Sequence, residues 1–87
     1  MEKAIEKALK RHVEALGGLC MKFSSPGVAG VPDRICLLPA GRIVFVELKQ
    51  PGKKARPLQD YRMRQIRDRG FEVVVIDSID QIKEVIS

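Results

Sequence analysis

Several residue types on which common binding sites are built are scarce in this sequence. Its 87 residues include no tryptophan, one tyrosine, one histidine and two cysteines. The cysteines, Cys20 and Cys36, each lie in an apolar run and do not form a metal-type pair, which predicts reduced core residues in a cytoplasmic protein. No apolar run approaches the length of a transmembrane helix, and the N-terminal segment MEKAIEKALKRH is too polar for a signal peptide.

Positive charge, by contrast, is plentiful and concentrated in one segment. The chain has a formal net charge of +5, and residues 50–69 alone contain seven basic and two acidic side chains. The basic ones are Lys53, Lys54, Arg56, Arg62, Arg64, Arg67 and Arg69. A solvated helix face is the plain explanation, whereas a polyanion, most simply nucleic acid, is the functional one. The shortage of aromatic side chains favours recognition of backbone charge and shape over the reading of bases.

The hydrophobic pattern predicts one small domain over residues 1–87 with the element order α-β-β-β-α-β-α. The predicted helices cover about 2–16, 58–69 and 79–86, and the predicted strands cover 19–23, 35–38, 43–46 and 71–76. In the second helix, Leu58, Tyr61 and Ile66 can face the core, and Gln59, Met63 and Ile66 form an adjacent line. Asp77 and Ser78 are expected to cap the last helix. This order indicates an α/β fold, a mixed sheet with helices packed on it.

Two apolar runs, Ile35–Leu38 and Ile43–Val46, flank a short Pro- and Gly-containing turn and predict a buried β-hairpin. Asp33 precedes its first strand, and Glu47 and Lys49 end its second strand on a common face. A turn of three residues would set Asp33 opposite Glu47. A turn of two residues would pair Asp33 with Leu48 and turn its side chain to the other face.

Two carboxylates and a lysine at the end of a buried hairpin are energetically costly unless they bind something. Carboxylate oxygens, with room for water and phosphate, suit Mg²⁺ or Mn²⁺. The plain alternative is a salt bridge at a strand end, either Glu47 with Lys49 or Asp33 with Arg34. An isolated E-x-K tripeptide favours the plain alternative, but here a P-D pair precedes it by one hairpin.

This combination resembles the PD-(D/E)xK nuclease motif, with Pro32-Asp33 as one half and Glu47-Leu48-Lys49 as the other. The longer strings SPGVAGVPDR, FVELKQPG and PLQ resemble the small stand-alone VRR-NUC proteins of phages and prophages, over nearly the whole chain. The resemblance implies a restriction-endonuclease-like mixed β-sheet flanked by helices. It also implies metal-dependent hydrolysis of phosphodiester bonds in DNA, in the cytoplasm of a bacterial host.

The resemblance also implies a role for each site residue. Asp33, Glu47 and the main-chain carbonyl of Leu48 would hold Mg²⁺ or Mn²⁺. Lys49 would orient or help to activate a water molecule, or stabilise charge on the phosphate. Gln59, from the PLQ string, would position water or phosphate.

Nucleases of this superfamily usually supply one more carboxylate from their first helix. Counting back from the glycines that end the helix favours Glu6, by analogy with archaeal junction resolvases. The E-x-x-I pattern of VRR-NUC proteins favours Glu2 instead. An acidic residue in the first turn of a helix also has a plain explanation, because it interacts favourably with the helix dipole.

The DNA itself is expected to contact two regions. Lys22, Ser24 and Ser25 lie in or beside the Ser- and Gly-rich loop that precedes Asp33 and could bind phosphate. The second region contains Lys53, Lys54, Arg56 and Arg62.

Because the stand-alone VRR-NUC proteins resemble Holliday-junction resolvases, a four-way junction is the leading expected substrate. The short chain predicts a homodimer, whose contact surfaces are expected to be the apolar parts of the first helix, the last strand and the closing helix. The alternatives are a flap- or nick-directed nuclease subunit of a larger phage complex and a DNA-binding module without catalytic activity.

Overall fold

A computed structural model of the chain describes the backbone of residues 2–87 and the side chains of residues 3–87. Its helices are α1 (Glu2–Ala15), α2 (Pro57–Asp68) and α3 (Asp80–Val85), and its strands are β1 (Leu19–Lys22), β2 (Arg34–Leu38), β3 (Arg42–Leu48) and β4 (Glu72–Ile76). The predicted order is confirmed, and each boundary lies within two residues of its prediction. Within the described residues, no helix is long and apolar enough to cross a membrane.

The four strands form one mixed sheet in the order β1-β2-β3-β4. β2 pairs antiparallel with both β1 and β3, whereas β4 pairs parallel with β3. A parallel pair needs a long connection, and α2 supplies it between β3 and β4. β3 therefore lies between an antiparallel and a parallel neighbour, in the interior of the sheet.

The turn between β2 and β3 sets the register that the site requires. It is a single 3₁₀ turn over Pro39–Gly41, with Leu38 paired to Arg42. The pairing of Arg34 with Val46 continues in register to place Asp33 opposite Glu47. The three-residue alternative is thus confirmed. Ala40 has a φ of 63° inside this turn, a left-handed conformation that L residues other than glycine rarely adopt.

One face of the sheet carries the main hydrophobic core. Ile5, Leu9 and Val13 recur at helical spacing along α1 and are buried against it, as the sequence predicts. The sheet contributes alternate residues, because successive side chains of a strand point to opposite faces. Those of β2 and β3 are Cys36, Leu38, Val44, Val46 and Leu48, and Ile76, Ile82 and Ile86 complete the cluster.

The opposite face of the sheet is covered by α2. Of the two lines that the sequence offers, the one through Gln59 and Met63 faces the sheet, and Met63 is buried. The prediction of Leu58 and Tyr61 as core residues was wrong, because they are 45% and 50% exposed. A polar contact explains this orientation of α2: the side chain of Gln59 turns inward and donates a hydrogen bond to Glu47. That contact rotates the Gln59–Met63 line of the helix toward the sheet and leaves Leu58 and Tyr61 at the surface.

The cap of α3 also differs from the prediction. Ser78 makes no side-chain hydrogen bond to the start of this helix. Instead, the side-chain oxygen of Gln81 accepts hydrogen bonds from the backbone N–H groups of Asp77 and Ser78, at 2.7 and 3.2 Å. A residue of the first turn therefore reaches back to the residues before the helix, as glutamine does in a capping box.

Candidate active site

Glu47 is the most unusual residue of the structure, a carboxylate buried in the interior of the sheet with only 2% of its surface exposed. The Nζ of Lys49 lies 3.1 Å from its Oε2 atom, and the Nε2 of Gln59 donates a hydrogen bond to the same oxygen at 2.8 Å. Its other oxygen, Oε1, is buried and has no hydrogen-bond partner. A buried acceptor without a partner is rare in folded proteins and indicates a missing ligand.

The electrostatic environment of Glu47 indicates that the ligand is a cation. Burial raises the pKa of this carboxyl, because the charged form loses its hydration. The hydrogen bond from Lys49 opposes this rise in pKa, whereas the negative charge of Asp33 adds to it. One ammonium group therefore does not compensate two neighbouring carboxylates, and a further positive charge would stabilise the ionised pair.

Asp33 lies directly before β2, next to the end of β3, and is exposed to solvent. Its Oδ2 atom accepts a hydrogen bond from the backbone N–H of Leu48, at 3.0 Å. The preceding Pro32 is fully buried and anchors the chain where it enters the sheet. The hairpin register and this hydrogen bond together bring the carboxylate of Asp33 to the end of β3, next to Glu47.

The donor set fits a hard divalent cation that retains water ligands. Among residues 3–87, no three His, Cys, Asp or Glu side chains converge as a metal cluster. Asp33 and the free Oε1 of Glu47 are therefore the available carboxylate ligands. Mg²⁺ is commonly bound in this way, through one or two carboxylates with water and substrate phosphate completing its shell. The predicted salt bridge between Glu47 and Lys49 is also present, but it occupies only one of the two glutamate oxygens.

Gln59 connects this site to the start of α2. Its Oε1 atom accepts a hydrogen bond from the backbone N–H of Arg56 at 2.9 Å, while its Nε2 atom donates to Glu47. Both ends of the amide are thus engaged, which fixes its orientation. The sequence predicts Gln59 at the site, and the structure brings it there as the partner of a carboxylate.

Glu6 of the first helix lies on the α1 side of the sheet. Glu6 forms an ion pair with Arg34, whose side chain points from β2 toward α1. The hydrogen bond from Arg34 lowers the pKa of Glu6. Glu6 also lines a cleft of about 410 Å³ together with Asp33. The side chain of Glu2 lies outside the described residues, so the choice between the two glutamates stays a prediction.

Two of the three predicted phosphate contacts before Asp33 share its cleft. Lys22 and Ser24 line the 410 Å³ cleft beside Asp33. Ser25 instead lines a separate groove with Phe45 and Phe71, on the α2 side of the sheet. The structure therefore brings Lys22 and Ser24, but not Ser25, next to the carboxylate.

The basic segment divides in a similar way. Lys53, Lys54 and Arg56 line a cavity of about 300 Å³ that also includes Lys49, so this part of the segment adjoins the site. Arg62 lies elsewhere and is half-buried: its guanidinium donates hydrogen bonds to the carbonyl of Ala29 and to the side chain of Gln65. This contact holds the loop before β2 against α2.

Arg34 lies next to the site and is buried, with only 7% of its surface exposed. The sequence does not predict this position for it. Alternation along β2 turns its side chain away from Asp33 and toward α1. Its position next to Asp33 in the sequence predicts only a salt bridge between the two side chains. The one available signal was a basic residue inside an otherwise apolar strand.

Comparison with known proteins identifies the family to which the chain is similar. The family model described as "VRR-NUC domain" matches residues 1–80. A curated relative, "Putative nuclease p44" of Acyrthosiphon pisum secondary endosymbiont phage 1, is 47% identical over 79 residues, which are 91% of this chain and 85% of that protein.

Two solved structures share the fold. One, titled "VRR_NUC domain", superposes with a TM-score of 0.92 at 40% identity and covers 98% of this chain and 92% of its own. The other, titled "VRR_NUC domain protein", has a TM-score of 0.75 at 20% identity, covers 99% of this chain and 84% of its own, and supports the fold alone.

Proposed function

This chain belongs to the VRR-NUC family and is a nuclease domain, and we propose that it is a Mg²⁺- or Mn²⁺-dependent endonuclease that cuts branched DNA. The observation that carries this proposal is the unpartnered Oε1 of Glu47, buried next to Asp33 at the end of β3. A catalytically idle DNA-binding module would have no reason to retain such an atom, because an unsatisfied buried acceptor costs about 1–3 kcal/mol.

The chain supplies each group that metal-assisted hydrolysis needs. Asp33 and Glu47 would hold the cation, and the main-chain carbonyl of Leu48 would provide a third oxygen. When bound, Mg²⁺ or Mn²⁺ lowers the pKa of a coordinated water and offsets negative charge that develops on the phosphate.

Two further residues act around this pair. Lys49 keeps its ammonium group within 3.1 Å of Glu47 and presents positive charge to the reacting phosphate and its attacking water. Gln59 holds the Oε2 atom of Glu47 and so fixes the orientation of the carboxylate, with Oε1 left without a hydrogen-bond partner. Gln59 therefore acts on the phosphate or water through the orientation of a metal ligand.

The proposed substrate is a four-way DNA junction, and the active species a homodimer. Resolution of a junction requires paired cuts on opposing strands, which one domain with one site does not make in a single encounter. The proposed dimer surface differs from the surfaces that the sequence suggests, because α1 and α3 bury their apolar residues in the main core of the chain.

An apolar sheet surface offers a better contact for the second copy. On the α2 side of the sheet, β1 and β2 present Leu19 and Met21 beside their cross-strand partners Leu37 and Ile35. Leu19 is 58% exposed and Met21 is 44% exposed. Exposed apolar strips of this kind mark interaction sites, and a two-fold axis would bring the same strip from each copy together.

Three single variants test the catalytic assignment: Asp33→Asn, Glu47→Gln and Lys49→Ala. Loss of a residue that merely orients a metal ligand costs about 10- to 100-fold in activity. We therefore expect cleavage to fall by more than about 100-fold for each of the three variants, with DNA binding retained. Gln59→Ala, which removes an orienting contact, should fall within the range of about 10- to 100-fold.

The assay compares a four-way junction, a flap, single-stranded DNA and duplex DNA with Mg²⁺, Mn²⁺ or EDTA. Asp68→Asn and Lys83→Ala are matched controls, because they remove the same charges from exposed positions of α2 and α3. Cleavage in EDTA would contradict the metal mechanism. Cleavage of the flap with an intact junction would replace the resolvase by the flap- or nick-directed alternative.

A further inference from the structure

The cleft on the α1 side of Asp33 has a polar lining, most of which has no role in the catalytic scheme. Its volume is about 410 Å³. Its polar lining comprises Lys3, Glu6, Lys22, Ser24, Asp33 and Arg34. Three of these side chains are cationic, and they surround Glu6: the charges of Arg34, Lys22 and Lys3 all contribute to lowering its pKa, after the hydrogen bond from Arg34.

Arg34 is the central cation of this cleft. Its side chain is 9% exposed, and its recorded partner among the described residues is the carboxylate of Glu6. A guanidinium carries five N–H donors in a planar fork, so one carboxylate contact leaves most of them unused. None of its nitrogens is sealed off from solvent without a partner, and the unused donors therefore open into the cleft.

Lys22 lies directly opposite Arg34 on the neighbouring strand. The backbone N–H of Phe23 bonds the carbonyl of Asp33, so the Phe23–Asp33 pair is hydrogen-bonded. The adjacent pair of Lys22 with Arg34 is then of the non-hydrogen-bonded type, in which side chains lie closest. Like charges directly opposite each other destabilise a sheet. Glu6 offsets part of this repulsion, and a bound anion would offset the rest.

The position of the cleft indicates which anion it receives. Asp33 forms part of its wall, while Lys49, which contacts Glu47, lines the basic cavity together with Lys53 and Lys54. A DNA strand with its scissile phosphate at Asp33 and Glu47 would thus have cationic groups near both carboxylates. Neighbouring phosphates of that strand would lie over the two cavities.

We propose that Arg34, with Lys22 and Ser24, binds the backbone phosphate adjacent to the scissile one, and that Glu6 is a positioning residue that holds the guanidinium in place. This inference rests on the proposed nuclease function and adds to it a second phosphate subsite. Arginine suits the task because its planar fork matches two phosphate oxygens at once.

The test is a binding experiment with chemically modified DNA in metal-free buffer, where no cleavage occurs. Each junction substrate carries one neutral methylphosphonate, placed in turn at the scissile position and at the two phosphates on either side. For a protein with intact Arg34, neutralising the phosphate that it contacts should weaken binding by about tenfold, as expected for loss of a charge-assisted hydrogen bond.

The comparison is made in the Glu6→Gln background, so that removal of Arg34 leaves no unpaired carboxylate behind. Glu6→Gln/Arg34→Met should lose most of its response to the methylphosphonate at that one position, where only Lys22 and Ser24 remain, while it responds as before at the others. Its salt dependence should also flatten by about 0.7–0.9 in the slope of log affinity against log salt. Lys83→Met, on the exposed surface of α3, should keep the profile and slope of the unmodified protein.

An unchanged methylphosphonate profile in Glu6→Gln/Arg34→Met would overturn the proposal and leave the ion pair a purely structural link between α1 and β2. The absence of any sensitive flanking phosphate in the unmodified protein would do the same. Failure of the nuclease function gives a different result, namely no cleavage of any substrate by the unmodified protein in Mg²⁺ or Mn²⁺. Thermal unfolding of each variant confirms that the comparison is between folded proteins.

Discussion

At the residue scale, the conflict between stability and function centres on Glu47. Its carboxylate is buried with one oxygen unpartnered, and burial raises its pKa. We expect Glu47→Gln to stabilise the metal-free protein at neutral pH by about 1–3 kcal/mol, the cost of an unsatisfied buried polar group. The same change should abolish the rise in Tm that Mg²⁺ or Mn²⁺ produces, since a ligand stabilises only the state that binds it.

Thermal unfolding of the two proteins with and without metal measures both effects. Glu84→Gln, on the exposed surface of α3, is the control for loss of one carboxylate. A Glu47→Gln protein that unfolds earlier than the unmodified protein in EDTA, or that Mg²⁺ and Mn²⁺ still stabilise, would contradict the assigned metal site.

A second prediction at the residue scale concerns Ala40 and the stability of the protein, and it is unrelated to catalysis. Its left-handed conformation, with φ of 63°, costs about 1–2 kcal/mol for an L residue with a Cβ atom. Glycine relieves this strain but loses more backbone entropy on folding. We expect Ala40→Gly to stabilise the protein by about 0.5–1 kcal/mol and to raise Tm by about 3–6 °C.

Ala4→Gly is the matched control, because Ala4 is an exposed residue inside α1. It should destabilise the protein by about 1 kcal/mol, the helix-propensity difference between alanine and glycine. A destabilising Ala40→Gly would mean that the turn does not hold residue 40 in the left-handed region.

At the element scale, we expect the basic loop before α2 to contact DNA without taking part in catalysis. Lys53, Lys54 and Arg56 line one cavity with Lys49. Each phosphate contact on duplex DNA contributes about −0.9 to the slope of log affinity against log salt. Replacing all three by glutamine should flatten the slope by about 2.7 and weaken binding to every DNA substrate alike.

A triple variant of α1, Lys7→Gln, Lys10→Gln and Arg11→Gln, removes the same charge from an exposed helix surface. The DNA affinity of this variant should fall only because the net charge of the protein is lower. The slope of log affinity against log salt should therefore stay near that of the unmodified protein. Equal slopes for the two triple variants would move the DNA-binding surface away from the basic loop.

Some features of the elements could be predicted from the sequence and others could not. The hairpin could be read from two apolar runs and a turn, and the pairing of Asp33 with Glu47 followed from turn length alone. These are local relations, fixed by side-chain alternation. The orientation of α2 could not be read in this way, because Leu58 and Met63 give it two competing apolar lines and only the contact of Gln59 with Glu47 decides between them.

Arg34 illustrates the same limit within the candidate site. Its role depends on a partner, Glu6, that is distant in sequence and is brought near only by the packing of α1 on the sheet. No periodicity within β2 indicates that contact. The motif residues were therefore accessible from the sequence, whereas the cationic cleft behind Asp33 required the tertiary structure.

At the scale of the whole molecule, the sheet is covered unequally. α1 and α3 bury one face, while the strip formed by Leu19, Met21, Ile35 and Leu37 on the other face is partly exposed. A small domain buries a limited fraction of its surface alone. We expect sedimentation at micromolar concentration to give twice the chain mass of 9.7 kDa, and Met21→Glu to give the single chain mass with loss of junction resolution.

Ile79→Glu is the control for this experiment, since Ile79 on the closing segment is similarly exposed, at 51%. It should remain dimeric. Dissociation by Ile79→Glu but not by Met21→Glu would place the interface at the closing helix, as the sequence suggests. A monomeric unmodified protein that still resolves junctions would exclude the dimer altogether.

The hydrogen bond from the Leu48 amide to Asp33 gives the protein a spectroscopic reporter. The chemical shift of an amide proton depends on the charge of its acceptor, and a hydrogen bond to an ionised group is the stronger kind. Occupation of Asp33 by a cation should therefore move the Leu48 resonance upfield in a ¹H–¹⁵N spectrum. The next amide, Lys49, bonds the carbonyl of Ile76 in the sheet and serves as an internal reference. One backbone proton thus follows metal occupancy without any substrate.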